Sequence, residues 1–313
     1  MALLTPVRVL YIGGTGRTGS TLLEKMLAQL DGVFAAGELT WLWYGLRGHG
    51  RCSCGEPLRV CPVWSAVFTE AYGGVDEIDP EEMMALRHRF RSVHLPLMVT
   101  GRLHDRYLRR LGPYPERLER LYRAIQTVTG AGVIVDASKE PHYSSILRTR
   151  PGLDVRFLHL VRDPRAVAHS WARTRTERGF GEGHFMERRG AVKSAVYYDV
   201  SNVASEALWK NRGGRYRRLR YEDFVADPVA AIAGAGELMG EEWDAGSFVR
   251  GSRAELAPIH SAWGNPNRFD GGTVTVSADE QWRTEMAARR RLASSALAGP
   301  VGRRYGYPLW ARA

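Results

Sequence analysis

Lysine is scarce in this chain. Of 44 basic residues only Lys25, Lys139, Lys193 and Lys210 are lysines; the rest are arginines, and with 34 acidic residues the formal net charge is +10 at pH 7. Arginine's planar fork suits bidentate contact with oxyanions. A GC-rich genome gives the same bias, and a generic basic surface for nucleic acid or membranes is the competing reading. Apolar runs are short: none reaches the roughly 18 residues expected of a membrane span, so no integral membrane association is expected. The N-terminus passes almost directly into the first apolar run, so the expectation is no cleaved leader and a cytoplasmic location. Repeats and low-complexity tracts are absent. Cysteine occurs only as Cys52, Cys54 and Cys61, too few for a disulfide-framed fold. What is present is 313 residues with 44% hydrophobic content, enough for a sizeable core. Residues 1–313 read as one domain.

A further lysine is missing at an informative place. The apolar run Val9-Leu10-Tyr11-Ile12 feeds a glycine-rich turn, Gly13-Gly14-Thr15-Gly16-Arg17-Thr18-Gly19, which opens into an amphipathic pattern from Ser20. Glycines let the backbone turn tightly and approach a ligand, and the unpaired amides at a helix start point at an anion held in the bend. Gly14 to Gly19 has the spacing of a nucleotide P-loop, but Ser20 stands where a nucleoside triphosphatase needs lysine. A kinase is therefore disfavoured. Gly14, Gly16 and Gly19 also spell a dinucleotide fingerprint, with Glu38 about 20 residues on as the ribose acid, which keeps an NAD(P)-binding oxidoreductase as an alternative. The loop's own cation is Arg17, and Ser20 and Thr21 add hydroxyl donors.

A second block repeats the pattern. Val155 to Val161 reads as a buried strand, Asp163-Pro164 punctuates it, and Pro164 suits the first turn of the helix that follows. Arg162 then sits at the carboxyl edge of a strand, where open parallel sheets bind ligands. Its planar guanidinium can hold a phosphate there through two parallel hydrogen bonds, and Ser170, about two turns into the helix, can face the same phosphate. An ion pair between Arg162 and Asp163 is the alternative.

Gly16-Arg17-Thr18-Gly19-Ser20-Thr21-Leu22-Leu23, followed by Gly37-Glu38, resembles the phosphosulfate loop and catalytic glutamate of sulfotransferases that use 3′-phosphoadenosine 5′-phosphosulfate (PAPS). The likeness is strongest to the branch with arginine in the loop, which includes tyrosylprotein sulfotransferases and many bacterial enzymes. Arg162 and Ser170 resemble that family's 3′-phosphate site. The resemblance implies a P-loop-type three-layer α/β/α fold with a mainly parallel central sheet, and PAPS as co-substrate with no metal required. It also implies a hydroxyl acceptor on a small molecule, glycan or lipid. Glu38, read as the end of a short Ala35-Ala36-Gly37 turn, takes the role of base. Arg17 and Lys139, the latter after the apolar run Val133-Ile134-Val135, take the leaving group. Gly16, Thr18, Gly19, Ser20 and Thr21 bind the phosphosulfate, while Tyr221 and Arg268 are implied nucleotide contacts. The resemblance covers residues 7–40 and 133–300.

Strands are expected at 7–12, 133–136, 155–161 and 216–220, and helices at 20–30, 39–46, 164–175, 193–211 and 279–297. Residues 41–130 read as a mostly helical insertion over the acceptor site, with pieces near 80–95, 101–110 and 115–129. Trp41, Trp43, Tyr44 and Trp64 are its candidate stacking residues. The glycine-rich, charged stretch 173–190 reads as a lid. His159 reads as a core histidine and His142 as an alternative base. The three cysteines with His49 offer four metal donors at a spacing unlike ordinary zinc motifs. Reduced thiols are the first expectation, and a Cys54–Cys61 disulfide is a third.

Overall fold

The structure, a computed structural model, describes residues 5–89, 94, 98, 109–174, 176 and 186–308. Five strands form the central sheet: β1 (Val7–Gly14), β2 (Val33–Gly37), β3 (Val133–Lys139), β4 (Leu153–Val161) and β5 (Tyr216–Arg220). Their order is β2-β3-β1-β4-β5, and every pairing is parallel. The described helices are α1 (Ser20–Leu27), α2 (Leu42–Arg47), α3 (Pro62–Tyr72), α4 (Pro80–His88), α5 (Tyr114–Thr129), α6 (Pro141–Leu147), α7 (Pro164–Ala172), α8 (Ala191–Trp209), α9 (Tyr221–Ala226), α10 (Pro228–Met239), α11 (Trp282–Glu285) and α12 (Ala288–Arg304). Five of them, α3, α4, α6, α7 and α10, begin on proline, whose fixed φ fits the first helical position and whose missing N–H is not needed there.

Strand alternation divides the core into two layers. Val7, Val9 and Tyr11 of β1 join Val155 and Phe157 of β4 on one face, packed with Trp43, Trp64, Leu118, Tyr122 and Trp209. Leu10 and Ile12 join Val135, Leu158 and Leu160 on the other, under Leu23, Met26, Phe224 and Ile232. Both faces of the sheet are covered, as a parallel sheet requires. The result is a three-layer α/β architecture with P-loop-like topology. Edge strand β5 carries Arg217, Arg218 and Arg220, charges that discourage further strand addition.

Several expectations shift in detail. Val33–Gly37 is a strand, not a turn; its alanines have little intrinsic strand preference, and pairing with β3 imposes the conformation. The expected 39–46 helix is a 3₁₀ turn at Leu39–Trp41 followed by α2. The expected helix 279–297 is broken into α11 and α12, with Met286 and Ala287 extended between them. A small antiparallel sheet of β6 (Val249–Arg250), β7 (Arg253–Leu256) and β8 (Gly272–Thr275) went unread, because strands of two to four residues carry no measurable period. Between β2 and β3 the described residues are mostly helical as expected, although 90–93 and 95 of the 80–95 piece and 101–108 of the 101–110 piece lie outside the described residues, as does most of the expected lid, 175 and 177–185.

Candidate active site

The carboxyl ends of β1, β2, β3 and β4 converge at one edge of the sheet, where the strand order reverses around β1. Thr15 to Gly19 joins β1 to α1, and Gly19 caps the helix in the left-handed region, φ 88°. A Cβ there would lie 2.6 Å from the Tyr221 ring, so the turn admits glycine alone. The amides of Ser20 and Thr21 have no carbonyl partner within α1, and both residues are buried. Arg17 is 6% exposed; its guanidinium donates to Asn265 Oδ1 and lies 4.7 Å from the Trp171 ring centroid.

Backbone strain marks the site. Among the described residues only Arg17 (φ 71°), Lys139 (φ 67°) and His49 (φ 61°) are non-glycine residues at positive φ. Such conformations cost about 1–3 kcal/mol and persist where the surroundings over-determine them. Two of the three are the cations that the sequence assigned to the leaving group. Lys139 ends β3 just past a register shift against β1, where Tyr11 pairs with Asp136 and Gly13 with Lys139.

Glu38 follows β2, and its carboxylate lies 2.6 Å from Lys139 Nζ, with the side chains 15% and 7% exposed. Lys139 Nζ also donates to Ala137 O at 2.8 Å. The Glu38 amide donates to Trp263 O at 3.0 Å, and Ala262 N donates to Ala36 O at 2.9 Å, so the loop carrying Trp263 lies along the end of β2. Gly37, at φ 89°, permits the contact: a Cβ would sit 2.7 Å from Trp263 O.

Beneath this pair lies a residue that sequence reasoning missed. Glu24 of α1 is 2% exposed. Burial, with the charge of Glu38 adding to it, pushes its carboxyl up to about 8 against the pull of Lys139 and the Gly37 amide. Relative to the ordinary value of 4.5, the folded state therefore holds a proton that the unfolded chain has released between pH 4.5 and about 8. Folding stability should fall as pH rises through that window and level off above it. Glu24→Gln removes the titration while keeping an amide acceptor, so its stability gain over the parent should be larger at pH 8.5 than at pH 5. Thermal unfolding of both proteins at the two pH values measures this, and an equal gap at both would mean that Glu24 is folded as a carboxylate.

A cleft opens over the pair. Its walls include Trp41, Trp171, Tyr197, Trp263, Arg189 and Asn265, and Glu140 is a second carboxylate on its floor. Glu140 is fully engaged: Arg87 Nη2 lies 3.1 Å from both carboxylate oxygens, Thr40 Oγ1 donates at 3.1 Å, and His142 Nε2 lies at 3.0 Å. Burial alone would raise its pKa, but His142, Arg87 and Thr40 override it and hold the carboxyl down at about 2. A carboxylate that acidic is a poor proton acceptor. Of the four aromatics proposed for stacking, only Trp41 lines the cleft. Trp43 and Trp64 are core residues, and the Tyr44 hydroxyl meets His88 Nε2 at 3.0 Å. Trp171, Tyr197 and Arg189 went unread; Arg189 packs 3.9 Å from the Trp171 centroid and 4.2 Å from that of Tyr197.

Arg162 immediately follows β4, 5% exposed, beside the loop: Nη1 donates to Arg17 O at 3.3 Å. Its partner is Asp279, not Asp163: Nη2 donates to Asp279 O at 2.7 Å and lies 3.3 Å from Oδ2. Asp163 caps α7 and is held by Arg165 at 2.6 Å. The guanidinium stacks 4.3 Å from the Tyr221 centroid, and the Tyr221 hydroxyl donates to Ser277 O at 3.1 Å. Ser170 is buried on α7. Arg268 is also buried, but its guanidinium donates to Gly264 O at 2.7 Å and Arg51 O at 3.2 Å, and it is not a lining residue of the cleft. His159 is a core histidine, set between Tyr216 Oη and Asn202 Oδ1 at 2.8 Å each, and burial lowers it to about 4. His142 bears on Glu140 and is likewise outside the lining.

A sequence model of the sulfotransferase family matches residues 10–245. Over 98 residues the chain is 34% identical to carbohydrate sulfotransferase 5 of Mus musculus, a match spanning 28% of this chain and 25% of that protein's length. Among solved structures, the sulfotransferase domain from the Synechococcus PCC 7002 olefin synthase superposes with a TM-score of 0.53 at 21% identity, covering 96% of this chain and 97% of that one. The sulfotransferase domain from the curacin biosynthetic pathway gives 0.52 at 17% identity, over 96% and 99%. These two likenesses bear on the fold.

Proposed function

Because the chain belongs to the sulfotransferase family, we propose that it transfers a sulfuryl group from PAPS to a hydroxyl of a small-molecule, glycan or lipid acceptor. The observation that carries this reading is the juxtaposition of Glu38 with two strained cations, Arg17 and Lys139, at the mouth of one glycine loop. Sulfuryl transfer needs that arrangement. A bond forms from the acceptor oxygen to sulfur as the bond from sulfur to the 5′-phosphate oxygen breaks, so a base is required on one side and positive charge on the other. Glu38 takes the acceptor proton. Arg17, Lys139 and the amides at the start of α1 balance the charge that grows on the departing phosphate. The products are the sulfate ester and adenosine 3′,5′-bisphosphate.

The Glu38–Lys139 pair has a role before the donor arrives. Two buried charges on one cleft floor are tolerable only when paired, and an incoming phosphosulfate competes with Glu38 for the lysine. Binding thereby draws the cation to the leaving group and releases the carboxylate to the acceptor. Trp41, Trp171, Tyr197 and Trp263 line the cleft, an aromatic wall suited to a sugar, a phenol or another flat acceptor. Arg162 and Ser170 hold the 3′-phosphate with Tyr221 at its side, while Arg268 braces the Gly264 turn.

The dinucleotide alternative needs Glu38 on a ribose, whereas its carboxylate is committed to Lys139 on the cleft floor. Calorimetric titration separates the readings. Adenosine 3′,5′-bisphosphate should bind without magnesium and more tightly than 5′-AMP, NAD or ATP with magnesium. Binding of NAD or ATP with indifference to the 3′-phosphate would overturn the proposal.

A further inference from the structure

The cysteines do not face the cleft. Cys52 and Cys54 flank Ser53 in a tight turn closed by Cys52 N donating to Glu56 O at 2.8 Å and Gly55 N to Cys52 O at 2.9 Å. Cys61 stands immediately before α3. A fourth donor arrives from a remote part of the sequence, and it is His260, not His49. The loop bearing His260 is stitched to the cysteine turn on both sides. Ser53 N donates to Ser261 O at 3.0 Å, Ser261 N to Ser53 Oγ at 2.8 Å, and Trp64 Nε1 to His260 O at 2.7 Å.

The Sγ atoms of Cys52, Cys54 and Cys61 and a ring nitrogen of His260 all lie within 4.8 Å of one another. Three of the six separations match the dimensions of a coordination tetrahedron. Zinc bonds of about 2.3 Å to sulfur and about 2.0–2.1 Å to nitrogen, at tetrahedral angles, place sulfur about 3.8 Å from sulfur and about 3.6 Å from nitrogen. Cys54 and Cys61 sulfurs are 3.8 Å apart, and His260 Nδ1 is 3.7 Å from the Cys52 sulfur and 3.4 Å from that of Cys61. A disulfide would need about 2.05 Å, and all three cysteines are free. Hydrogen bonding among thiols gives no reason for four soft donors to meet around one point, since S–H is a weak donor.

We propose that Cys52, Cys54, Cys61 and His260 bind a structural zinc ion. Four protein ligands close the coordination sphere, which distinguishes a structural from a catalytic site. Each thiol gives up its proton on ligation, so the filled site carries a formal charge of −1. The ion fastens the loop through Trp263 and Gly264 to the helical segment between β2 and β3. That same loop receives the Glu38 amide and lines the cleft, so the metal sets the backbone that positions Glu38. The site stands independently of the donor nucleotide.

The test is metal analysis of the untagged full-length protein, purified without chelator after expression with zinc. About one zinc per chain is expected, falling close to zero in Cys54→Ser/His260→Ala, two changes at partly exposed positions. Should that variant fail to fold, the wild-type chain stripped of metal and titrated with cobalt(II) gives a second reading: one equivalent should produce thiolate-to-cobalt charge transfer and the intense visible bands of tetrahedral coordination. Chelator should lower the thermal midpoint, and added zinc should restore it. Iron in place of zinc, a Cys54–Cys61 disulfide in peptide mass spectrometry, or three titratable thiols with unfolding indifferent to zinc would each overturn the proposal.

Discussion

Glu38→Gln is expected to lower turnover by about 10²–10⁴-fold, the range that a general base contributes, with affinity for adenosine 3′,5′-bisphosphate unchanged. Glutamine keeps the volume of Glu38 and can still accept from Lys139 Nζ, now 2.6 Å from the carboxylate, so the cleft should not collapse. What it loses is the ability to take a proton. The neighbouring carboxylate cannot substitute, because Arg87, Thr40 and His142 hold Glu140 at about 2 despite its burial. Single-turnover assays of both proteins with saturating PAPS and an acceptor found by screening measure the effect. His142→Ala is the discriminating partner: full activity in Glu38→Gln with loss in His142→Ala would transfer the role of base to the histidine.

For Arg162→Ala the expected change is in binding. A charge-assisted hydrogen bond is worth about 1.5–3 kcal/mol, or about 10- to 150-fold in Kd at roughly 1.4 kcal/mol per factor of ten. The lower end is expected, because a 3′-phosphate must first displace Asp279, whose carboxylate and carbonyl now occupy the guanidinium. Asp279 is held below the ordinary carboxylate range by Arg162 in spite of its burial, which is the signature of that competition. The substitution also strips Asp279 of its partner and leaves a negative charge facing the phosphate. Arg162→Ala/Asp279→Asn removes this repulsion and should recover part of the loss. Affinity for 5′-AMP should be the same in all three proteins, since it lacks the group that Arg162 holds. A parallel loss of 5′-AMP binding would mean that Arg162 acts through the loop, by its bond to Arg17 O, and not on the 3′-phosphate.

The parts of the site that were legible in the sequence are those built by neighbours. β1, its glycine loop and α1 are one continuous segment, and so are β4, Arg162 and α7. Glycine punctuation, a buried apolar run and a proline at the first helical position each act within a few residues, so they survive in a one-dimensional reading. Arg268 shows the limit of that reading. Its residue type and location suit a phosphate contact, but only the fold shows that its guanidinium donates to the Gly264 and Arg51 carbonyls. Aromatic residues show it again, since Trp41 and Trp43 lie two positions apart and only the first reaches the cleft.

By itself the sequence determined the fold class, the glycine loop between β1 and α1 and the positions of the two arginines at strand and loop ends, because these follow from local backbone chemistry and the alternation of apolar residues. Tertiary structure alone decided that Lys139 meets Glu38, that Glu24 is buried beneath them, that Asp279 covers Arg162 and that His260 completes the cysteine cluster. The physical reason is the parallel sheet. Each crossover returns the chain to the same edge after tens of residues, so the groups that act on one another there are neighbours in space and strangers in sequence.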